Sequence, residues 1–292
     1  MDCSELGYTT AFLAGLFFGL SDTLVRAASI KLKPSQNLLT SLLVGTPILW
    51  AASLLVWRGM PQVDALLSFI LAGILNFVIG RYLFYLSISY AGATTASIVT
   101  SPTVVFASLF AWILLGEALT ALQVLGVFLV MLAVYLVYNE PSGRPLHGGK
   151  SSIGIVAGVT SALVFSFTSL LVRFGAGYSG GNPIIGAAIS YTTALLILSP
   201  FLAKNALSEV TSHGRVFHYM VMAAVIVALA QLLRYTAFSV CSVARASVLI
   251  MLSPIHTLVF SGLLSSELRE KPGVRHVASV IVAILGVMLV SW

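Results

Sequence analysis

Residues 71–87 read LAGILNFVIGRYLFYLS and residues 224–240 read AVIVALAQLLRYTAFSV. Each run is mostly apolar and carries a single charge, Arg81 or Arg234, and in each a tyrosine follows, Tyr82 or Tyr235. The two arginines lie 153 residues apart. Downstream, Ser101-Pro102 recurs as Ser253-Pro254 at an offset of 152, and Glu117 as Glu270 at 153; upstream, Leu24-Val25-Arg26 recurs as Leu171-Val172-Arg173 at 147. Like-ordered anchors at near-constant spacing indicate internal duplication, and a duplicated membrane protein is usually a transporter.

The surrounding composition sets the solvent. The chain is 59% hydrophobic and 8% charged, with mean hydropathy +1.03, whereas soluble domains carry roughly 25% charged residues. This points to an integral membrane protein. Its net charge of +6 resides mostly in short loops, where it sets orientation, so no nucleic-acid role is assigned. Cys3 and Cys241 have neither metal-ligand nor redox spacing and are read as unpaired thiols. The N-terminus, Met1-Asp2-Cys3-Ser4-Glu5, is acidic where a secretory signal is basic, and is read as mature sequence.

Crossing the hydrocarbon core takes about 20 helical residues. Ten segments qualify, approximately 8–30, 37–57, 65–90, 95–115, 119–138, 152–175, 182–203, 216–240, 244–265 and 273–292. They lack the short alternating strands of a β-barrel, so the expected fold is all-α. A Pro-, Gly- and charge-rich stretch, Asn139 to Ser151, divides five helices from five. The expected organisation is a first repeat over 1–140, a linker over 141–151 and a second repeat over 152–292. Five helices per repeat make the second copy enter from the opposite side, which gives inverted repeats with equivalent residues facing each other near the midplane. Loops on the N-terminal side hold three Lys or Arg and the opposite loops ten, a bias that places both termini outside the cytoplasm.

A charge at the bilayer centre costs about 2.5–3.5 kcal/mol on insertion scales, so Arg81 and Arg234 need a reason. Two guanidinium groups facing a central cavity would hold a carboxylate or phosphate through forked hydrogen bonds; the alternative is a pair of structural pins. Gln231 shares a helical face with Arg234 and Tyr235, and Asn76, Tyr85 and Ser89 give the third helix a comparable polar stripe. Asp22 is the carboxylate deepest within a span; it is a candidate coupling group or the partner of Arg26 at i+4. Pro102 and Pro254 interrupt the fourth and ninth helices, free the carbonyls of Ile98 and Ile250, and are candidate hinges. His256 beside the second break is a candidate for a proton path. Glu117 and Glu270 read as cap or loop residues. Gly126 with Ala133, and Ser279 with Gly286, recur at i+7 on the fifth and tenth helices, which therefore read as packing or homodimer surfaces.

Several features together resemble the EamA-type drug/metabolite transporter family. They are the two five-helix repeats, the aromatic-small pairs Phe18-Gly19 and Phe165-Ser166, the Ser-Pro after a short turn, and Gly116-Glu117 followed by Gly126. The resemblance covers almost the whole chain. It implies a multi-pass permease of the cell membrane that moves small organic metabolites, commonly amino acids, by alternating access around a central cavity, with no cofactor or metal. Related members often carry a small or apolar residue where this chain has Arg81 and Arg234, which shifts the expected solute towards anions or zwitterions. Organic-phosphate or drug export within the same superfamily is the alternative. The resemblance also implies cytoplasmic termini, opposite to the charge count.

An enzyme class is weighed as well. Gly177-Tyr178-Ser179-Gly180-Gly181 matches a nucleophile elbow and a rhomboid-like protease signature, with His213 and His218 nearby. The elbow requires a preceding strand, and the rhomboid pattern requires its histidines upstream, so the run reads as a turn. No His-Glu zinc motif or phosphate loop is present.

Overall fold

A computed structural model describes residues 4–57, 59–115, 120–178, 181–211 and 214–290. Cys3, Arg58, Gly116-Glu117, Ser179 and His213 lie outside the described residues.

The described chain is helical. Helix α1 spans Glu5–Ser29 and α2 spans Pro34–Leu55. The third crossing is composite: α3, Val63–Gly73, runs through a π-helical segment, Ile74–Arg81, into α4, Tyr82–Ala91. Helices α5, Ala93–Val99, and α6, Pro102–Leu115, follow, and α7, Ala121–Tyr138, completes the first half. The second half comprises α8, Ser151–Arg173, a π-helical turn Phe174–Tyr178, α9, Pro183–Thr211, and α10, Gly214–Val240. It ends with α11, Val243–Ile250, α12, Ser253–Leu263, the short α13, Ser265–Leu268, and α14, Val274–Val290. Among the described residues, nine helical stretches are long and apolar enough to cross a membrane, and Val274–Val290 is a shorter apolar helix.

The two halves interleave. Helix α1 packs along α10, α2 along α9, α4 along α8 and α7 along α14, so each main contact joins one half to the other. Small residues allow the closest of these crossings: a Cβ on Gly126 would lie 2.6 Å from the Val290 amide nitrogen, and one on Gly286 would lie 2.8 Å from the Gly126 carbonyl oxygen. The small residues of α7 and α14 thus serve an intramolecular contact. The opposite face of α7, including Phe128, Met131 and Tyr135, is exposed, as a lipid-facing surface would be.

Three sequence expectations change. Pro102 and Pro254 do not kink continuous helices. Each begins a new helix after a turn, the first-turn position where the missing N–H removes nothing. The Ile98 carbonyl then accepts from Ser101 N–H at 3.0 Å instead of being freed. The prolines inside helices are Pro47 in α2 and Pro200 in α9, which are themselves 153 residues apart. Cys241, fully buried, is disulfide-bonded and not an unpaired thiol; sequence spacing does not report which residues the fold brings together.

Candidate functional site

A cavity of about 60 Å³ lies among α1, the π-helical segment, α4, α6, α8, α10, α11 and α12. Its wall carries both intramembrane arginines, Arg81 and Arg234, together with Asp22.

Arg81 stands at the end of the π-helical segment. A π-bulge adds one residue to the turn and shifts the faces on either side of it, and such bulges concentrate at functional sites. Its side chain is 4% exposed. The guanidinium carbon lies 5.5 Å from the Phe18 ring centroid, 5.8 Å from Phe84, 5.7 Å from Tyr85 and 5.8 Å from Phe165. Phe18 and Phe165 are repeat counterparts, one from each half, at the 147 offset. The aromatic faces stabilise the cation by about 0.5–2 kcal/mol each without occupying its N–H edges. Among the described residues no acceptor bonds to those edges.

Arg234 is 6% exposed, and its Nε and Nη2 have no hydrogen-bond partner among the described residues. One ring, Phe238, lies 5.5 Å from it. Asp22, 3% exposed, has no partner for Oδ1 among the described residues. The expected pairing of Asp22 with Arg26 does not form, because Arg26 is committed at the end of the bundle. Across the cavity, the repeat position of Asp22 is Ser169, whose hydroxyl donates to the Phe165 carbonyl at 2.9 Å.

The other candidate residues lie off the cavity wall. Tyr82 is 39% exposed and faces outward, since adjacent helical residues diverge by about 100° and Arg81 already points inward. Tyr235 is fully buried; its hydroxyl donates to Ser190 Oγ at 2.9 Å, and Ser190 donates to the Phe69 carbonyl at 2.7 Å, which ties α10, α9 and α3 together. Asn76 and Gln231 are fully buried with both amide atoms unpartnered. His256 is half-buried, edge-on to Phe12 at 5.7 Å.

A second charged cluster closes the linker end of the bundle. Arg26, fully buried, donates Nη1 to the carbonyls of Ile88 at 2.8 Å and Ser89 at 2.9 Å, and Nη2 to that of Arg144 at 3.0 Å. Its Nε reaches the Leu268 carbonyl at 3.3 Å and lies 3.2 Å from Glu270 Oε1. The Glu270 carboxylate also accepts from Ala93 N–H at 2.5 Å and from Ser142 Oγ at 3.2 Å. Burial pushes the Glu270 carboxyl above the usual carboxylate range, while Arg26, the Ala93 and Thr94 amides and Ser142 pull it back. One ion pair thus fastens α1, the α4–α5 turn, the linker and the loop after α13. Gly92 makes the join possible. Its φ of +97° favours glycine, and a Cβ there would lie 2.4 Å from Ser142 Oγ.

The expected cap or loop role of Glu270 holds, since it accepts from the first amides of α5, but the sequence does not show its ion pair with Arg26. The available signal was the shared repeat register of Arg26 with Arg173. Arg173 donates Nη1 to the carbonyls of Phe238 and Ser239, both at 2.9 Å, closing α10 as Arg26 closes α4.

An interleaved apolar helical bundle with charged groups around an internal cavity defines a multi-pass membrane protein. The chain belongs to the EamA-like transporter family, whose profile matches residues 5–139 and 152–292, and it is therefore a membrane transporter of the drug/metabolite transporter superfamily. The two matched segments are the two halves of the duplication. A solved crystal structure shares the fold over 96% of both chains, with a TM-score of 0.66 and 18% identity, a likeness of fold alone. No curated protein matches the sequence significantly.

Proposed function

We propose that this protein is a secondary transporter of the cell membrane that moves small organic solutes bearing a carboxylate or phosphate, amino acids and related zwitterions or anions, by alternating access. Its ten spans form two inverted five-helix repeats, with the central cavity between them. Arg81 and Arg234 hold the anionic group. The observation that carries this is that two nearly buried guanidinium groups share one cavity while, among the described residues, no acceptor bonds to Arg81 or to Nε and Nη2 of Arg234. Buried polar groups are otherwise almost always hydrogen-bonded, so unmet donors of this strength suit a solute.

The Arg26–Glu270 cluster fits the role of a closure at the linker end, to be broken when the site opens there. The helix breaks before Pro102 and Pro254 are the hinges. An organic phosphate fits the paired arginines too, but the acidic Asp22 on the same wall favours a solute that also carries positive charge. Thermal stabilisation of the purified protein by carboxylates, amino acids and organic phosphates tests the assignment, because ligands that bind only the native state raise its apparent stability. Stabilisation that is lost in both Arg81→Gln and Arg234→Gln is expected. Equal stabilisation of the wild type and both variants would refute it.

A further inference from the structure

The cavity carries an acidic pole as well as a basic one. Asp22 is 3% exposed, lines the cavity, and makes no hydrogen bond through Oδ1. Arg26, one helical turn away, is fully engaged with Glu270 and four backbone carbonyls. Arg81 shares the cavity wall but forms no ion pair with Asp22 among the described residues. Its guanidinium is instead held among four aromatic rings. At the repeat-equivalent position the wall presents Ser169, whose hydroxyl is spent on its own helix. Among the described wall residues the carboxylate therefore stands on α1 alone, which gives a bound solute one preferred orientation.

We infer that Asp22 receives the ammonium group of the transported solute, so that the cavity selects molecules carrying two acid groups and one amine. This rests on the transport site proposed above. In formal charge, the wall carries two cationic side chains, Arg81 and Arg234, and one carboxylate, Asp22, a net of +1. An amino dicarboxylate, with charges −2 and +1, is the complement of that set. A neutral zwitterion leaves one guanidinium unmet, and a dicarboxylate without an amine leaves Asp22 unmet. In either case a buried ionic group stays unpaired, and a site built to bond a polar group strongly rejects analogues that lack it.

The test is calorimetric binding to the purified full chain in lipid nanodiscs, using L-aspartate, L-glutamate and L-2-aminoadipate, each against its amine-free counterpart, succinate, glutarate or adipate. L-Glutamine serves as the neutral zwitterion. At one chain length at least, the amino dicarboxylate is expected to bind about ten- to a hundredfold more tightly than its amine-free counterpart, as loss of a charge-assisted hydrogen bond implies. In Asp22→Asn that preference should collapse, with amine-free acids bound as well as or better than by the wild type. Equal wild-type binding of amino and amine-free acids, or an amine preference that survives in Asp22→Asn, overturns the inference. Tighter binding of glutamine than of every amino dicarboxylate overturns it as well. Binding of amine-free anions that Arg81→Gln abolishes would keep the arginine site while removing the acidic pole. Failure of every anion to bind would remove both.

Discussion

Replacing Arg26 with methionine, which keeps the length of the side chain and removes its charge, should release the linker end of the bundle. The variant leaves the Glu270 carboxylate fully buried without its ion pair, and leaves the carbonyls of Ile88, Ser89, Arg144 and Leu268 without that donor. Breaking a buried pair by removing one partner costs about 3–5 kcal/mol. The loss should depend on pH in a fixed direction. Burial already holds the Glu270 carboxyl above the usual carboxylate range against the pull of Arg26, and without Arg26 it rises further. Between the ordinary glutamate value, about 4.3, and the raised folded value, the folded variant binds a proton that the unfolded chain does not. Its stability therefore falls as pH rises through that window. Chemical denaturation in detergent micelles should show the largest loss near pH 8 and a smaller one near pH 5. The double variant Arg26→Met/Glu270→Gln, which carries neither charge, should recover at least about 2 kcal/mol at pH 8. A single variant within 1 kcal/mol of wild type at pH 8, or a loss that grows on acidification, would refute the closure.

Gly92→Ala forces a side chain into the φ +97° turn and against Ser142, and should destabilise by at least about 2 kcal/mol in thermal unfolding; a change below 0.5 kcal/mol would contradict the packing of that turn. Gly126→Leu should separate α7 from α14 and lower Tm, whereas Gly262→Ala, with open space around its Cβ, should leave Tm nearly unchanged. Tyr235→Phe removes the bond to Ser190 and should cost about 1 kcal/mol of stability while leaving solute affinity intact; an affinity loss above tenfold would return Tyr235 to the binding site.

The helical membrane fold was legible because its signals are long and one-dimensional: apolar runs of spanning length, a polar linker between two halves, and anchors recurring at 147 to 153 residues. Arg81, Arg234 and Asp22 stood out for a similar reason, since a charge inside such a run is costly wherever it points. Direction was harder to read. Tyr82 follows Arg81 but turns outward, and Tyr235 follows Arg234 but spends its hydroxyl on Ser190. Asp22 and Arg26 have the spacing of an intrahelical pair, yet Arg26 prefers Glu270, far away in sequence, because several carbonyls converge there as well. No local pattern reports that convergence. The π-helical segment that ends at Arg81 is equally silent, since no residue pattern in Ile74–Arg81 marks a widened turn. The pairing of Pro47 with Pro200 at the repeat offset is visible in the sequence, and the structure places both inside helices.

The central claim is that Arg81 and Arg234 together receive the anionic group of the solute. Its most direct test is uptake of radiolabelled amino dicarboxylate into proteoliposomes containing the wild type, Arg81→Gln or Arg234→Gln, with reconstitution and folding matched by thermal unfolding. Saturable uptake by the wild type, lowered at least about tenfold in each variant, is the predicted result. Uptake that proceeds unchanged in both variants would contradict it.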